Sequence, residues 1–262
     1  PFLYGVDTYV VITRLHTQHE NINTQTMLQQ IDLKQILVLD IETVPQYPSF
    51  DEVPTGMAKL WDDKTKRQRQ EEETPAIFYP RAGIWAEFGK IVCISVGIFN
   101  QARGELGLRV KSFADDDEKE LLIDFINLLK KQSPSLILCG HNAKEFDFPY
   151  LCRRMLINSL EIPTQLQISG KKPWEINHLD TMELWKFGDY KNYTSLNLLA
   201  AVFNVPTPKD DIDGSDVGRV YWEEKNLERI KIYCQKDVVT TAQVLLRLKG
   251  QALIEEEQIA LV

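Results

Sequence analysis

Apolar positions follow two rhythms along the chain. A continuous run, "ILVL" at 36–39, reads as a buried strand and ends in Asp40, Ile41 and Glu42. Strand signals return at "KIVCISVGIFN" (90–100) and "LGLRVKSF" (106–113), with the turn-like "QARGE" between them, and again at "SLILCGHN" (135–142). The helical rhythm appears in "DDDEKELLIDFINLLKKQ" (115–132). It has an acidic first turn, apolar Leu121, Leu122, Phe125, Ile126, Leu128 and Leu129, and a basic last turn. Beyond residue 148 the pattern is mainly helical: "PYLCRRMLIN", "TMELWKF", "SLNLLAAVFN" and "NLERIKIYCQKDVVTTAQVLLRLKG" all carry a 3.6-residue period.

Strand, charged insert, two strands, helix, strand, then helices is the order of an α/β domain with a mixed sheet. An antiparallel meander comes first, followed by a crossover helix to a parallel strand. The insert, about 45–85, is rich in Pro, Gln, Glu and Lys, and its stretch "GMAKLWDDKTKRQRQEEE" has helix-forming composition with a charged face. These boundaries predict a leader over 1–34, flexible or not native, one domain over 35–250, and a C-terminal tail over 251–262. The first Met is Met27. His16 and His19 in the leader are spaced like a metal pair, but they lack further ligands and read as solvated.

Composition narrows the class. No apolar run approaches the roughly 20 residues that span a bilayer, and the opening "PFLYGVDTYVVITRL" lacks the basic start of a signal peptide. The four cysteines, Cys93, Cys139, Cys152 and Cys234, form no C-x-x-C and fit reduced core thiols in a cytoplasmic protein. The net charge of −8 argues against attachment to nucleic acid by bulk positive field. It leaves room for an enzyme that handles phosphates through bound cations.

Four acidic residues in three segments carry the candidate chemistry. Asp40 and Glu42 lie two apart on a strand, so their carboxylates share a face. Such a pair either ends the strand at a solvated loop or is neutralised by a hard divalent cation. Asp147, in "GHNAKEFDFPYLCRR", follows a polar loop and precedes a helix with Pro149 near its start. Helix capping alone would select it, as would a metal site. Tyr233 and Asp237 are four apart and stack on one helical face. The tyrosine is open to either reading, core residue or site residue.

Taken together, "LDIET", "GHNAKEFDFPYLCRR" and "YCQKD" resemble the three motifs of the DEDD 3′–5′ exonucleases, in order and in separation. The third has Tyr rather than His and marks the Tyr subgroup. The chain is most similar to the proofreading exonuclease domain of family B DNA polymerases, over about residues 35–248. With the chain ending soon after the third motif, a free-standing exonuclease of bacterial type is expected. The resemblance implies a ribonuclease H-like fold, a mixed central sheet flanked by helices. It also implies two Mg²⁺ or Mn²⁺ ions on Asp40, Glu42, Asp147 and Asp237, about 4 Å apart as in other two-metal sites. Asp40 would bridge both ions, Glu42 and Asp237 would complete the nucleophile side, and Asp147 would hold the second ion. Tyr233 would orient the attacking water.

The implied partner is the 3′ end of single-stranded nucleic acid, DNA ahead of RNA, with no membrane involved. Thr43 is placed to contact the terminal nucleotide, and Asn142 and Phe146 to meet the backbone or stack on a base. Lys171 and Lys172 beside Trp174 make a phosphate-and-stacking loop or a solvated turn. Asp180 supports the site from behind or caps a helix. An exoribonuclease or short-oligonucleotide hydrolase shares every motif, and a non-catalytic binding module on the same fold is the contrasting class.

Overall fold

The computed structural model describes residues 28–262, apart from 103, 190, 192 and 208–211. His16, His19 and most of the expected leader lie outside the described residues. Asp32–Val262 form one compact unit. Its sheet has six strands: β1 Ile36–Pro45, β2 Gly89–Ala102, β3 Glu105–Ala114, β4 Ile137–Gly140, β5 Leu179–Asp180 and β6 Ile259–Leu261. They lie in the order β5-β4-β1-β2-β3-β6. β1, β2 and β3 form the expected antiparallel meander, and β4 pairs parallel with β1. The chain is thus α/β with a mixed sheet, as the residue pattern predicts.

The helices are α1 Thr55–Thr65, α2 Pro75–Phe78, α3 Glu118–Lys130, α4 Asp147–Ile157, α5 Thr181–Lys186, α6 Leu196–Val202, α7 Val217–Trp222 and α8 Leu227–Leu248. α3 starts where it does because the Asp117 carboxylate accepts the N–H groups of Lys119 and Glu120 at 2.9 and 3.3 Å. It buries Leu121, Leu122, Phe125, Ile126 and Leu129. These side chains join Leu37, Leu39 and Ile41 of β1 and Phe148, Leu151 and Met155 of α4 in the main core. On the opposite face, Val44, Val92 and Cys93 pack with Val217, Val220, Ile230 and Cys234 of α7 and α8. Alternation along β1 therefore sorts its side chains between two helical layers.

The insert keeps less helix than its composition predicts. α1 ends at Thr65, whose hydroxyl donates to the Trp61 carbonyl at 2.7 Å. Beyond it, "KRQRQEEE" has no apolar stripe to bury, and packing of such a stripe supplies most helical stability. What holds the insert is Trp61, fully buried among Phe78, Tyr79, Trp85 and Phe88, with ring centroids 5.2–5.9 Å away. Its indole N–H donates to the Pro75 carbonyl at 2.9 Å.

Residues 251–262, expected as a tail, return to the sheet. The Gln243 amide donates to the Ile254 carbonyl at 2.6 Å and accepts its N–H at 3.0 Å. β6 then pairs parallel with β3. The two-residue β5, α7 and β6 are too short for periodicity to announce. No helix among the described residues is long and apolar enough to cross a membrane.

Candidate active site

Asp40 and Glu42 occupy alternate positions of β1 and face α8, while Leu39 and Ile41 face the main core. Beside them the register with β2 steps from Glu42↔Cys93 to Thr43↔Ile91, leaving Val92 as an extra residue. Such a bulge bends the strand and re-aims its side chains. Asp40 is half-buried and Glu42 is 7 % exposed. Burial and the charges of Asp237 and Asp147 push the Asp40 carboxyl well above its usual range. Burial and the charges of Asp40, Asp237 and Asp147 do the same to Glu42.

The β4–α4 loop delivers the third acid. At Gly140 a Cβ would stand 2.5 Å from the Ala143 side chain, so only glycine lets the loop fold back over the strand end. Asn142 takes the left-handed conformation at φ 61°. The buried Asp180 carboxylate pins this loop, accepting the N–H of Asn142 at 2.9 Å and of Lys144 at 3.0 Å. It also caps α5 through the N–H groups of Met182 and Glu183. Asp180 therefore caps α5 and holds the loop that leads to Asp147 at the same time.

Asp147 does not cap α4; it is the first helical residue, after Phe146. Pairing of β1 with β4 ends at Val38, and the Ile41 N–H further along β1 donates to Asp147 Oδ1 at 3.2 Å. Burial pushes Asp147 up to about 7. The charges of Asp180 and Asp237 add to it, against hydrogen bonds from its own N–H and that of Ile41.

From α8, Asp237 and Tyr233 complete the cluster, one helical turn apart on the same face. Burial, followed by the charges of Asp237, Glu42 and Asp40, drives the Tyr233 hydroxyl pKa upward. The structure thus brings together Asp40, Glu42, Asp147, Tyr233 and Asp237 from β1, the start of α4 and α8. One member was not anticipated. The Cys234 thiol, one residue after Tyr233, donates to Asp40 Oδ2 at 3.3 Å. Nothing in its spacing distinguishes it from the other core thiols.

The remaining candidates divide. Thr43 is half-buried, and the Tyr150 hydroxyl near it donates to the Gly83 carbonyl at 2.7 Å. Asn142 Oδ1 is buried with no hydrogen-bond partner among the described residues. Phe146 is half-buried with its ring 5.3 Å from that of Tyr150. Lys171, Lys172 and Trp174 lie on an exposed loop that leads into the amino end of β5, whereas the acids gather around the carboxyl end of β4. Within it the Lys172 ammonium sits 5.2 Å from the Trp174 ring centre.

The family of predicted 3′–5′ exonucleases related to the exonuclease domain of PolB matches residues 84–258. The chain belongs to this family. A DNA polymerase of Archaeoglobus fulgidus is 26 % identical over 149 residues, covering 51 % of this chain and 19 % of the polymerase. The chain thus spans about a fifth of that relative's length. The stretch that matches the exonuclease family holds Asp147, Tyr233 and Asp237 and begins after β1. Asp40 and Glu42 join them through the pairing of β1 with β2 and β4.

Proposed function

We propose that the protein is a divalent-metal-dependent 3′–5′ exonuclease that removes nucleotides from single-stranded DNA ends. The observation that carries this reading is the convergence of four carboxylates and a tyrosine from three separate elements, each acid raising the pKa of its neighbours. Carboxylates placed so close together in a partly dry site suit hard divalent cations, which take oxygen ligands and offset the like-charge repulsion. The donor set fits two Mg²⁺ or Mn²⁺ ions. Asp40 would touch both, Glu42 and Asp237 would complete the first ion's shell, and Asp147 would hold the second. When bound, such ions lower the pKa of an attacking water and neutralise charge on the phosphoryl group.

The protein's own groups supply position. Tyr233 would hydrogen-bond the attacking water and orient it. With its pKa raised, it is not the group that takes the water's proton. Thr43 would meet the terminal nucleotide, and Asn142 and Phe146 would meet the backbone of the strand or stack on a base. Lys171, Lys172 and Trp174 would touch the strand farther from the cleaved bond. Water adds to phosphorus as the 3′-oxygen leaves, giving a nucleoside 5′-monophosphate and a strand shorter by one. The catalytic unit is the compact body Asp32–Val262, whose sheet β6 completes, and the four free cysteines suit a reducing, cytoplasmic setting.

DNA is preferred over RNA because the relative is a DNA polymerase. Digestion of matched single-stranded DNA and RNA, 5′-labelled in one set and 3′-labelled in the other, tests the proposal in Mg²⁺, Mn²⁺ and chelator. A ladder of 5′-labelled DNA shortening one nucleotide at a time, only with metal, is expected. Faster turnover of RNA would move the substrate, and full activity in chelator would remove the mechanism.

A further inference from the structure

Two large rings stand in solvent beside the β4–α4 loop: Phe187 is 78 % and Tyr193 69 % exposed. Nearby Trp185 shows the ordinary fate of a ring in this part of the chain, packing edge-on against Phe203 with centroids 5.5 Å apart. Phe187 instead caps the carboxyl end of α5 in the left-handed conformation, φ 43° and ψ 36°. Glycine fits that position without cost, and a residue with a Cβ does not. Neither burial nor backbone preference accounts for a phenylalanine there. Both residues are fastened to the loop that leads to Asp147. Lys186, next to Phe187, reaches Glu145 at 3.8 Å. His141 Nε2 lies 2.9 Å from the carbonyl of Thr194, next to Tyr193, and its Nδ1 lies 2.9 Å from the Thr181 hydroxyl. A carbonyl only accepts, so Nε2 carries a proton and donates. Burial and then the charge of Asp180 raise the Tyr193 hydroxyl pKa, and the same charge acts on Asp147. The two residues therefore lie on the Asp147 side of the cluster.

We propose that Phe187 and Tyr193 are a stacking platform for the bases of single-stranded DNA, in the stretch that stays behind when the terminal nucleotide is removed. A two-metal site clamps the attacking and the leaving oxygen, one at each ion. Asp147 is assigned to the second ion, and the leaving 3′-oxygen belongs to the stretch that stays. The direction of the strand rests on the nuclease reading; the stacking itself does not. Lys144 and Lys186 are paired with Glu183 and Glu145, so ring faces rather than free positive charge supply the attraction here. Such stacking tolerates any sequence, because every base has a π-face.

The test measures binding of two 5′-fluorescein DNA strands by anisotropy in Ca²⁺, with strand integrity checked on a gel. One is a dT 12-mer; the other has the same length but lacks the bases of the second to fourth nucleotides from its 3′ end. Phe187→Ala and Tyr193→Ala should each weaken binding of the first strand by roughly 5-fold or more, and binding of the second hardly at all. Tyr193→Phe keeps the ring and should keep the affinity. Phe187→Gly should lose affinity like Phe187→Ala while its Tm stays level or rises, since glycine suits the left-handed position. Unchanged Kd in both alanine variants, or an equal loss on the two strands, would overturn the platform. A fall in Tm for Phe187→Gly would do the same, by showing that the ring supports the fold. Turnover in Mn²⁺ separates the two readings. Base-dependent loss of binding with no shortening of the strand would fault the nuclease reading and leave the platform standing. A metal-dependent ladder with unchanged Kd in both alanine variants would fault the platform alone.

Discussion

Two places where the described residues bury carboxylates treat them in opposite ways. At the first, Glu118 receives the Arg154 guanidinium on both oxygens, at 2.8 and 2.5 Å. The Ile91 N–H and the Asn158 amide fill its remaining positions. Arg154 spends its other donors on the Ala86 carbonyl and the Gln46 side chain. At the second, around Asp40, the strongest charges acting on Asp40 and Glu42 are those of other acids. A paired, fully hydrogen-bonded charge holds α4 to α3 and β2. A crowd of acids raising one another's pKa weakens the fold until something positive arrives. The contrast separates charge kept for architecture from charge kept for chemistry.

Substitutions should divide along the same line. Asp40→Ala should abolish turnover to a degree matching several kcal/mol of transition-state stabilisation while the fold survives, checked by nuclease assay beside circular dichroism. Near-normal turnover in a folded Asp40→Ala would displace Asp40 from the centre of the account. Arg154→Met should do the reverse. It leaves Glu118 buried without its partner and should lower stability by about 3–5 kcal/mol in denaturant melts, with the acidic cluster itself untouched. A loss below about 1 kcal/mol there would show that the pair is not structural. Tyr233→Phe comes last in size. Losing one orienting hydrogen bond should cost roughly 10²-fold in kcat with little change in metal affinity. A rate equal to that of the unsubstituted protein would return Tyr233 to the core.

Sequence patterning reads the architecture well wherever a segment is long. β1 to β4, α3 and α8 all follow from period and flanking polar residues, because each buries one continuous face. The elements that escape are short or tertiary in origin. β5 and β6 exist because a partner strand offers hydrogen bonds, and α7 because Trp222 donates to the Pro45 carbonyl at 3.0 Å. Within the site, Asp40 and Glu42 share a face by strand geometry and Tyr233 and Asp237 by helix geometry, both readable locally. The link from Asp147 to Ile41 spans 106 residues and is not. Cys234 is hidden for a similar reason. On the helix it is one more buried apolar position, and only the approach of β1 sets its sulfur beside a carboxylate.

If the acidic cluster is completed by divalent cations, its pH signature is the most direct test. Asp147 is raised from 3.8 to about 7, so the cation-free folded protein holds a proton that the unfolded chain releases. That contribution is fully present below about pH 3.8 and is lost as pH rises to about 7, and Asp40 and Glu42 shift in the same direction. Cations compete with those protons, so their stabilising effect must grow over the same window. The measurement is thermal unfolding with and without saturating Mn²⁺ at intervals from pH 5 to pH 8, on the unsubstituted protein and Asp40→Asn. A Mn²⁺-induced rise in Tm is expected that is small at pH 5, large at pH 8 and strongly reduced in Asp40→Asn. A rise that is absent, independent of pH, or undiminished in Asp40→Asn would contradict completion of the cluster by cations.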